Sequence, residues 1–520
     1  MVAKQSDRTG RLVTSSGSNW SKVCMVSSFQ LLVLSLLCSV TSAFGVGGSQ
    51  AAFLMATPSE TGRSSSSSTL SSSSRRRNIL RAGAGGFFSG LPFFGSDNKA
   101  QAAAANDKKK RSGGPTGEVA KIVKGMKHKR LGNSDIFVSE LGLGTQRWVS
   151  TDFNAPNKEL CYEFMDEAIL KRGVNLIDTA EQYPIPSGGR ASEGDTERVI
   201  GDWIKDRKVP RSDVVIATKI TGGTNITPRN IRNDCEGSLK RLQTDYVDVY
   251  LCHWPQRYSP QSNWGQSLSY NLDYETSYRR SLGAPTSFED MCLSMEELIQ
   301  SGKIRGWGLC NDNAYGLTAC TRTAKALGTT PPCTMQGDFS ILDRKSEENG
   351  VAEAASPYNE NVGFMAYNAL AGGMLTGKYM DVPSAFDDLN RARGKASLSE
   401  PRGRMDTRGW GGTLIRYRTE AAQEAIREYD TIAKANKMSL TELSLRWCKQ
   451  RDLITTTLLG HTNTKQLKET LDILSTKENL PPDVMWEIDR IHMRNRLPLF
   501  TNTRTGKDWF GEGEIGENIP

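Results

Sequence analysis

The chain is short of metal-binding chemistry. It has four histidines and ten cysteines in 520 residues. None of the cysteines forms a C-x-x-C pair and no histidine stands at ligand spacing from them, so no metal site is expected. Cys24 and Cys38 lie near the N-terminus. Cys161, Cys235, Cys252, Cys292, Cys310, Cys320, Cys333 and Cys448 are dispersed and read as buried free thiols of a reducing compartment. Basic charge is missing from the body. Residues 1–126 hold 16 Lys/Arg against 5 Asp/Glu, and the remainder 50 against 53. The net charge of +8 therefore belongs to the leader, which argues against a nucleic-acid partner. The short apolar run 29–40 (FQLLVLSLLCSV) falls below the roughly 20 residues of a membrane span. No G-x-G-x-x-G follows the first strand of the body. Gly142-Leu143-Gly144-Thr145 lacks the third glycine and the helix start that a Rossmann phosphate turn requires.

What the first 126 residues do contain is targeting composition. Lys22 precedes the apolar run and Thr41-Ser42-Ala43 follows it, which marks a signal peptide over about 20–43. Phe44 would be the new N-terminus. Residues 64–74 are almost all serine, and acids are nearly absent from 44 to 96, a transit-like stretch over 44–102. This order resembles the bipartite plastid leaders of algae with secondary plastids. Arg75-Arg76-Arg77, the stretch GAGGFFSGLPFF and Ala100-Gln101-Ala102 resemble a twin-arginine signal more weakly. The expected address is the plastid, stroma rather than thylakoid lumen. Lys108–Arg111 reads as a solvated linker, and 501–520 as a separate Gly/Glu-rich tail.

From Lys127 the texture becomes that of a soluble globular protein. A hairpin is expected around Gly132-Asn133-Ser134. Apolar strand cores follow at 140–144, 174–178, 214–219, 247–252, 304–309, 333–337, 362–367 and 456–460. Amphipathic segments separate them, among them 158–172, 196–206, 229–242, 289–299 and 421–435. Eight such parallel β-α units over 127–500 predict an α/β fold, a (β/α)8 TIM barrel, with an open doubly wound sheet as the alternative. Two connections are long. Residues 254–288 carry Trp254, Tyr258, Trp264, Tyr270, Tyr274 and Tyr278; residues 376–420 carry, up to Arg418, nine Lys/Arg against five acids. Both follow strands and so face the active-site end, where they suggest an organic substrate and a phosphate-bearing cofactor.

Four residues sit where barrel catalytic groups converge. Asp178 ends the second strand in NLIDTAEQYP, with Tyr183 in the loop beyond it. Lys219 ends the third in VVIATKI, and His253 the fourth in VDVYLCHWP. Each alone has a structural reading, as a cap, an ion-pair partner or a core histidine. Together they suit carbonyl reduction, which needs hydride at carbon and a proton at oxygen. A phenol is a poor acid at neutral pH. A nearby Lys219 would favour the phenolate, and Asp178 would keep that lysine charged. His253 would hydrogen-bond and align the carbonyl oxygen.

This set resembles the catalytic tetrad of the aldo-keto reductase family. NLIDTAEQYP, SLKRLQTDYVDVYLCHWPQR, MLTGKY and TLLGHTNTKQLKETL are similar to its bacterial Tas-like branch, as is Pro184 where most of the family has glycine. The resemblance implies NADP(H) bound across the barrel mouth. It places Thr145 and Gln146 near the nicotinamide and ribose, Gln336 on the carboxamide beside Cys310 and Asn311, and Phe339 near the ring that stacks on the nicotinamide. It implies that Tyr367, Asn368, Leu370 and Ala371 line the pyrophosphate turn and that Lys378 and Arg391 or Arg393 face the phosphates. Gly460, Thr462, Gln466, Glu469 and Thr470 would form the adenine end. Cys310 replaces the family's serine, Asn368 another serine, Ala369 a proline and Thr470 an asparagine. The implied partner is a small-molecule carbonyl compound, with no metal. The rivals are a cofactor-binding regulatory protein resembling potassium-channel β subunits, which carry a different residue at the position of His253, and a redox sensor acting through Cys310.

Fusing residues 1–126 to a fluorescent protein is expected to deliver it to the plastid. Uniform cytosolic signal would remove the leader reading.

Overall fold

The computed structural model describes residues 114–189, 192–260, 270–380, 401–406, 417, 419–494 and 496. Three strands precede the barrel. β1 (Val119–Val123) pairs antiparallel with β2 (Met126–Arg130), and β2 pairs with β3 (Phe137–Ser139), which makes the expected hairpin and adds a strand on the leader side of Lys127. Eight parallel strands then close on themselves: β4 (Leu141–Gly144), β5 (Leu176–Asp178), β6 (Val215–Ile220), β7 (Val247–Cys252), β8 (Ile304–Cys310), β9 (Thr334–Asp338), β10 (Gly363–Tyr367) and β11 (Thr456–Leu459). β11 pairs with β4, so no edge remains. The open-sheet alternative is excluded by that pairing.

Inside the barrel the side chains follow the strand period of two. Leu176, Val215, Ala217, Val249, Leu251, Met365 and Leu458 form one buried cluster with Leu131, Ile136 and Val138 of the hairpin. The hairpin therefore plugs the N-terminal end. Gly132 makes this approach: its φ is +59° and a Cβ there would lie 2.0 Å from the Cys333 carbonyl oxygen. Room is also limited higher up, where a Cβ on Gly142 would sit 2.6 Å from Leu458. Two residues further along the same inward stripe, Leu176 leads to Asp178, Ala217 to Lys219, Leu251 to His253 and Thr334 to Gln336. Register alone thus sends the polar groups to the C-terminal mouth while the floor stays apolar.

The helices cover the outside. α1 (Lys158–Met165) starts on Asn157, whose side chain accepts from Leu160 N. It widens into a π-helical turn at Asp166–Lys171 rather than continuing as the regular helix expected to 172. In that turn the Asp166 carboxylate accepts from Trp203 Nε1 at 2.9 Å and from Arg207. α2 (Asp195–Arg207) and α3 (Pro228–Leu242) follow. α3 is capped by Thr227, has proline in its first turn, and buries Ile231, Cys235, Leu239 and Leu242 along one face. Each of the large apolar side chains stabilises by about 1.5–3 kcal/mol. α4 (Leu272–Leu282), α5 (Phe288–Gln300), α6 (Ala314–Leu327), α7 (Lys345–Glu348) and α8 (Val351–Ala355) come next, then α9 (Glu420–Ala435), α10 (Leu440–Lys449), α11 (Thr464–Thr476) and α12 (Pro482–Arg494). No helix among the described residues is long and apolar enough to cross a membrane.

Candidate active site

Lys219 is fully buried at the end of β6. Its Nζ donates to Asp178 Oδ1 and Oδ2, both at 2.8 Å, and to the Thr179 carbonyl at 2.8 Å. All three ammonium protons are thereby used. Burial is the largest single influence and would pull this lysine towards neutrality, but the Asp178 charge, the Tyr183 and Cys310 groups and the hydrogen bond to Asp178 together outweigh it and the pKa rises. The ammonium lies 5.0 Å from the centre of the Tyr183 ring. Tyr183 is 5% exposed, its backbone held by hydrogen bonds to Ala180 and from Gly194. Its phenol is pushed up to about 12 because burial exceeds the downward pull of Lys219. The lysine acts in the direction the sequence suggests, but burial decides the sign.

His253 meets Tyr183 edge to face, 5.7 Å between centroids, and stacks on Trp254 at 5.5 Å. Burial and then the Lys219 charge drive its pKa well below the ordinary value, so the imidazole is neutral. Its Nδ1 is buried with no hydrogen-bond partner among the described residues, as is Thr145 Oγ1.

A second row of polar groups joins the tetrad to the far wall. Gln336 Nε2 donates to Asp178 Oδ1 at 2.7 Å, and its Oε1 accepts from the Cys310 thiol at 3.5 Å. Burial raises that thiol to about 12, which keeps it a donor. Asn311 Nδ2 donates to the His253 carbonyl at 3.0 Å, and its Oδ1 accepts from Tyr367 OH. Asn368 stands at φ +57°, a conformation asparagine tolerates better than most residues, and bonds Asp338 at 3.1 Å. Ala371 closes the same turn through its N–H to the Asn368 carbonyl, with Leu370 partly buried beside it.

Around the rim, Gln146 accepts from Ile185 N with its carbonyl and from Arg404 with its side chain. Arg404 stands with Arg147, Lys378 and Arg402 in one group of cations. Desolvation and then Arg147 lower Arg404 to about 10. The same two causes, with Arg404 and Arg402, lower Lys378. Across the mouth, Thr462 N and Oγ1 donate to Gln466 Oε1, and Thr470 Oγ1 bonds His461 Nε2 at 2.8 Å. Gly460 packs where a Cβ would be 3.4 Å from Gly144 O, and Glu469 is exposed on α11.

One expected position differs. The Phe339 ring is fully buried between Phe364 (6.3 Å) and Trp447, on which it stacks at 5.4 Å. It belongs to the layer between barrel and helices and turns no face to the mouth; Tyr367, partly exposed, is the ring beside Asn311. Arg391 and Arg393 lie outside the described residues. Residues 1–113 of the leader, the tail and Trp264 do too. Arg147, Arg402 and Arg404 are absent from the sequence reading. Two of them lie in the basic segment 376–420, but spacing within a loop does not say which of nine cations returns to the rim. The eight described cysteines are buried and free. Among the described residues no group of three or more His, Cys, Asp or Glu side chains could hold a metal ion.

A model of the aldo/keto reductase family matches residues 140–492. The chain belongs to the aldo/keto reductase family. It is 33% identical over 385 residues to Protein tas of Escherichia coli (strain K12), covering 72% of this chain and 99% of that protein. It is 30% identical over 300 residues to an aldo-keto reductase of Babesia bovis, covering 55% and 99%. It is also 26% identical over 372 residues to a probable voltage-gated potassium channel subunit beta of Oryza sativa subsp. japonica, covering 70% and 96%. Membership makes the chain a member of an oxidoreductase family and gives the four-residue cluster its context.

Asp178→Asn leaves a buried ammonium without its counter-charge and is expected to cost about 3–5 kcal/mol in urea unfolding. The double variant Asp178→Asn, Lys219→Met should regain most of that loss. A double variant as unstable as the single one would show that the pair is not what the interior responds to.

Proposed function

We propose that this protein reversibly reduces an aldehyde or ketone to the alcohol with NADPH, and that Tyr183 is the proton donor. The observation that carries this reading is the buried Tyr183 phenol beside a charged Lys219 and a neutral His253. Bound NADPH would supply hydride to the carbonyl carbon. With a pKa of about 12, Tyr183 keeps its proton at neutral pH, the state a general acid needs. Once the proton moves to the carbonyl oxygen, the Lys219 ammonium stabilises the phenolate left behind. A neutral His253 can donate one ring N–H to the same oxygen and align it.

The residues present fit an anionic, polar cofactor. Thr145 Oγ1 is buried with no partner among the described residues, and Lys378 and Arg404 are repelled by neighbouring cations, an effect that Asp406 and Asp152 only partly offset. An anion relieves that repulsion. Thr145, Gln146 and Gln336, with the Cys310-Asn311 pair, would hold the nicotinamide end. Tyr367 would flank it, and the 368–371 turn with Lys378 would take the phosphates. Gly460, Thr462, Gln466, Glu469 and Thr470 would receive the adenine. The leader reading supports a plastid stroma, where NADPH is at hand.

The similarity to the rice channel subunit favours a second reading, a binding protein that holds the cofactor without turnover. Turnover separates the two. The full chain is expected to oxidise NADPH with some member of an aldehyde and quinone panel, and Tyr183→Phe should lower kcat by about 10²–10⁴-fold. Tight NADPH binding with no turnover above the Tyr183→Phe level would sink the reductase reading and favour the binding one.

Lys378→Met should weaken NADPH binding by about 10–100-fold while leaving the melting temperature of the free protein unchanged or higher, because one of several like charges is gone. A change in Kd of less than about threefold, where a charged hydrogen bond contributes 1.5–3 kcal/mol, would remove Lys378 from the cofactor site.

A further inference from the structure

We propose that Glu181 is a positioning residue for Tyr183: its carboxylate fastens the loop that carries the phenol to the end of the strand that carries Lys219, so that turnover follows its ionisation. The inference rests on the role of Tyr183 proposed above.

The loop from β5 to α2 leaves the barrel after Asp178. Its first ties to β6 are Thr179 N to the Ala217 carbonyl and the Lys219 Nζ contact to Thr179 O. Beyond these, Glu181 ties it at two points. Its N–H donates to the Lys219 carbonyl at 3.3 Å, and its Oε1 accepts from Thr221 N. Glu181 is two residues before Tyr183, and Thr221 is two residues after Lys219. The clamp therefore spans the two chain segments whose separation sets the distance from phenol to ammonium. The other backbone bonds of Tyr183, to Ala180 and from Gly194, lie within its own loop and fix nothing relative to β6. A carboxylate on a backbone N–H is a charge-assisted bond, about twice as strong as a neutral one, and small misplacements of reacting groups are costly.

The groups that face Glu181 from neighbouring elements are acidic or neutral. Asp234 of α3 is held by Asn225 Nδ2 at 2.8 Å. Glu197 of α2 is held by Arg241 at 2.6 Å and Thr218 at 2.6 Å. The Tyr250 hydroxyl of β7 and the Cys235 thiol of α3 are both kept neutral by burial. Burial first, and then the charges of Asp234 and Glu197, raise the Glu181 carboxyl to about 7 against the opposing pull of Thr221. The group is charged above that pH and neutral below it. The clamp is therefore strongest above about pH 7 and weakens as pH falls through it.

The test uses the full chain, Glu181→Gln and Glu181→Ala, with a carbonyl compound reduced by the native protein, at pH values on both sides of 7. The native kcat is expected to fall as pH drops through about 7. Glu181→Gln keeps only a neutral acceptor on Thr221 and should hold, at every pH, the lower kcat that the native protein shows below pH 7, without that inflection. Glu181→Ala should lose about tenfold in kcat, the scale of one lost alignment contact, with KM for both substrates unchanged. A second readout needs no cofactor. The infrared band of a protonated carboxyl should grow in the native protein as pH falls through about 7 and be missing in Glu181→Gln. An inflection or a band that persists in Glu181→Gln, or an unchanged kcat in Glu181→Ala, overturns the proposal. Absence of turnover in the native protein defeats the reductase reading instead, and the infrared titration still decides whether Glu181 ionises as stated.

Discussion

A fully buried ammonium is costly unless its charge is balanced and its protons are used. Lys219 meets both conditions through Asp178 and the Thr179 carbonyl, and the rest of the mouth is organised by the field that results. Because Lys219 stays charged, His253 is pressed towards the neutral form and the Tyr183 phenol is drawn down against its own burial. Asp178 in turn is tied to Gln336, and Gln336 to Cys310, so the ion pair reaches the far wall through bonds that leave few polar groups unsatisfied. Among the buried polar atoms of the described residues that lack partners, His253 Nδ1 and Thr145 Oγ1 lie at the mouth.

That asymmetry comes from the barrel. Strand residues two apart share a face, so one inward stripe per strand runs from an apolar floor to a polar top. The hairpin side chains Leu131, Ile136 and Val138 keep water from the floor. A dry floor lets an ion pair above it act at short range with little screening. The same geometry gathers these polar groups at one end, where the loops after β4, β5, β7 and β10 supply Arg147, Tyr183, Trp254 and the remaining cations of the basic group.

The replacements of residues usual in the family are accommodated locally. Cys310 is a weaker donor than serine, yet it still reaches Gln336, and burial keeps its proton in place. Asn368 occupies a left-handed backbone position that suits asparagine and adds a bond to Asp338, which Tyr417 also contacts at 2.8 Å.

The sequence by itself determined the eight-unit barrel, the barrel strands to within two residues at each end, the hairpin, and the four residues that meet at the mouth. Strand cores are continuous apolar runs because both their faces are buried, and Asp178, Lys219 and His253 each end such a run, so period and position were enough. The Phe339 ring could not be placed that way, since a one-residue step past a strand end leaves open whether a ring turns to the mouth or to the helices. The Arg147, Arg402 and Arg404 cluster was equally hidden, because loop residues far apart in sequence meet only when the chain closes. Nor does sequence fix the sign of the Tyr183 shift or the clamp between Glu181 and Thr221. Burial and neighbouring charge compete there at comparable strength, and only the packed structure sets how much of each a side chain meets.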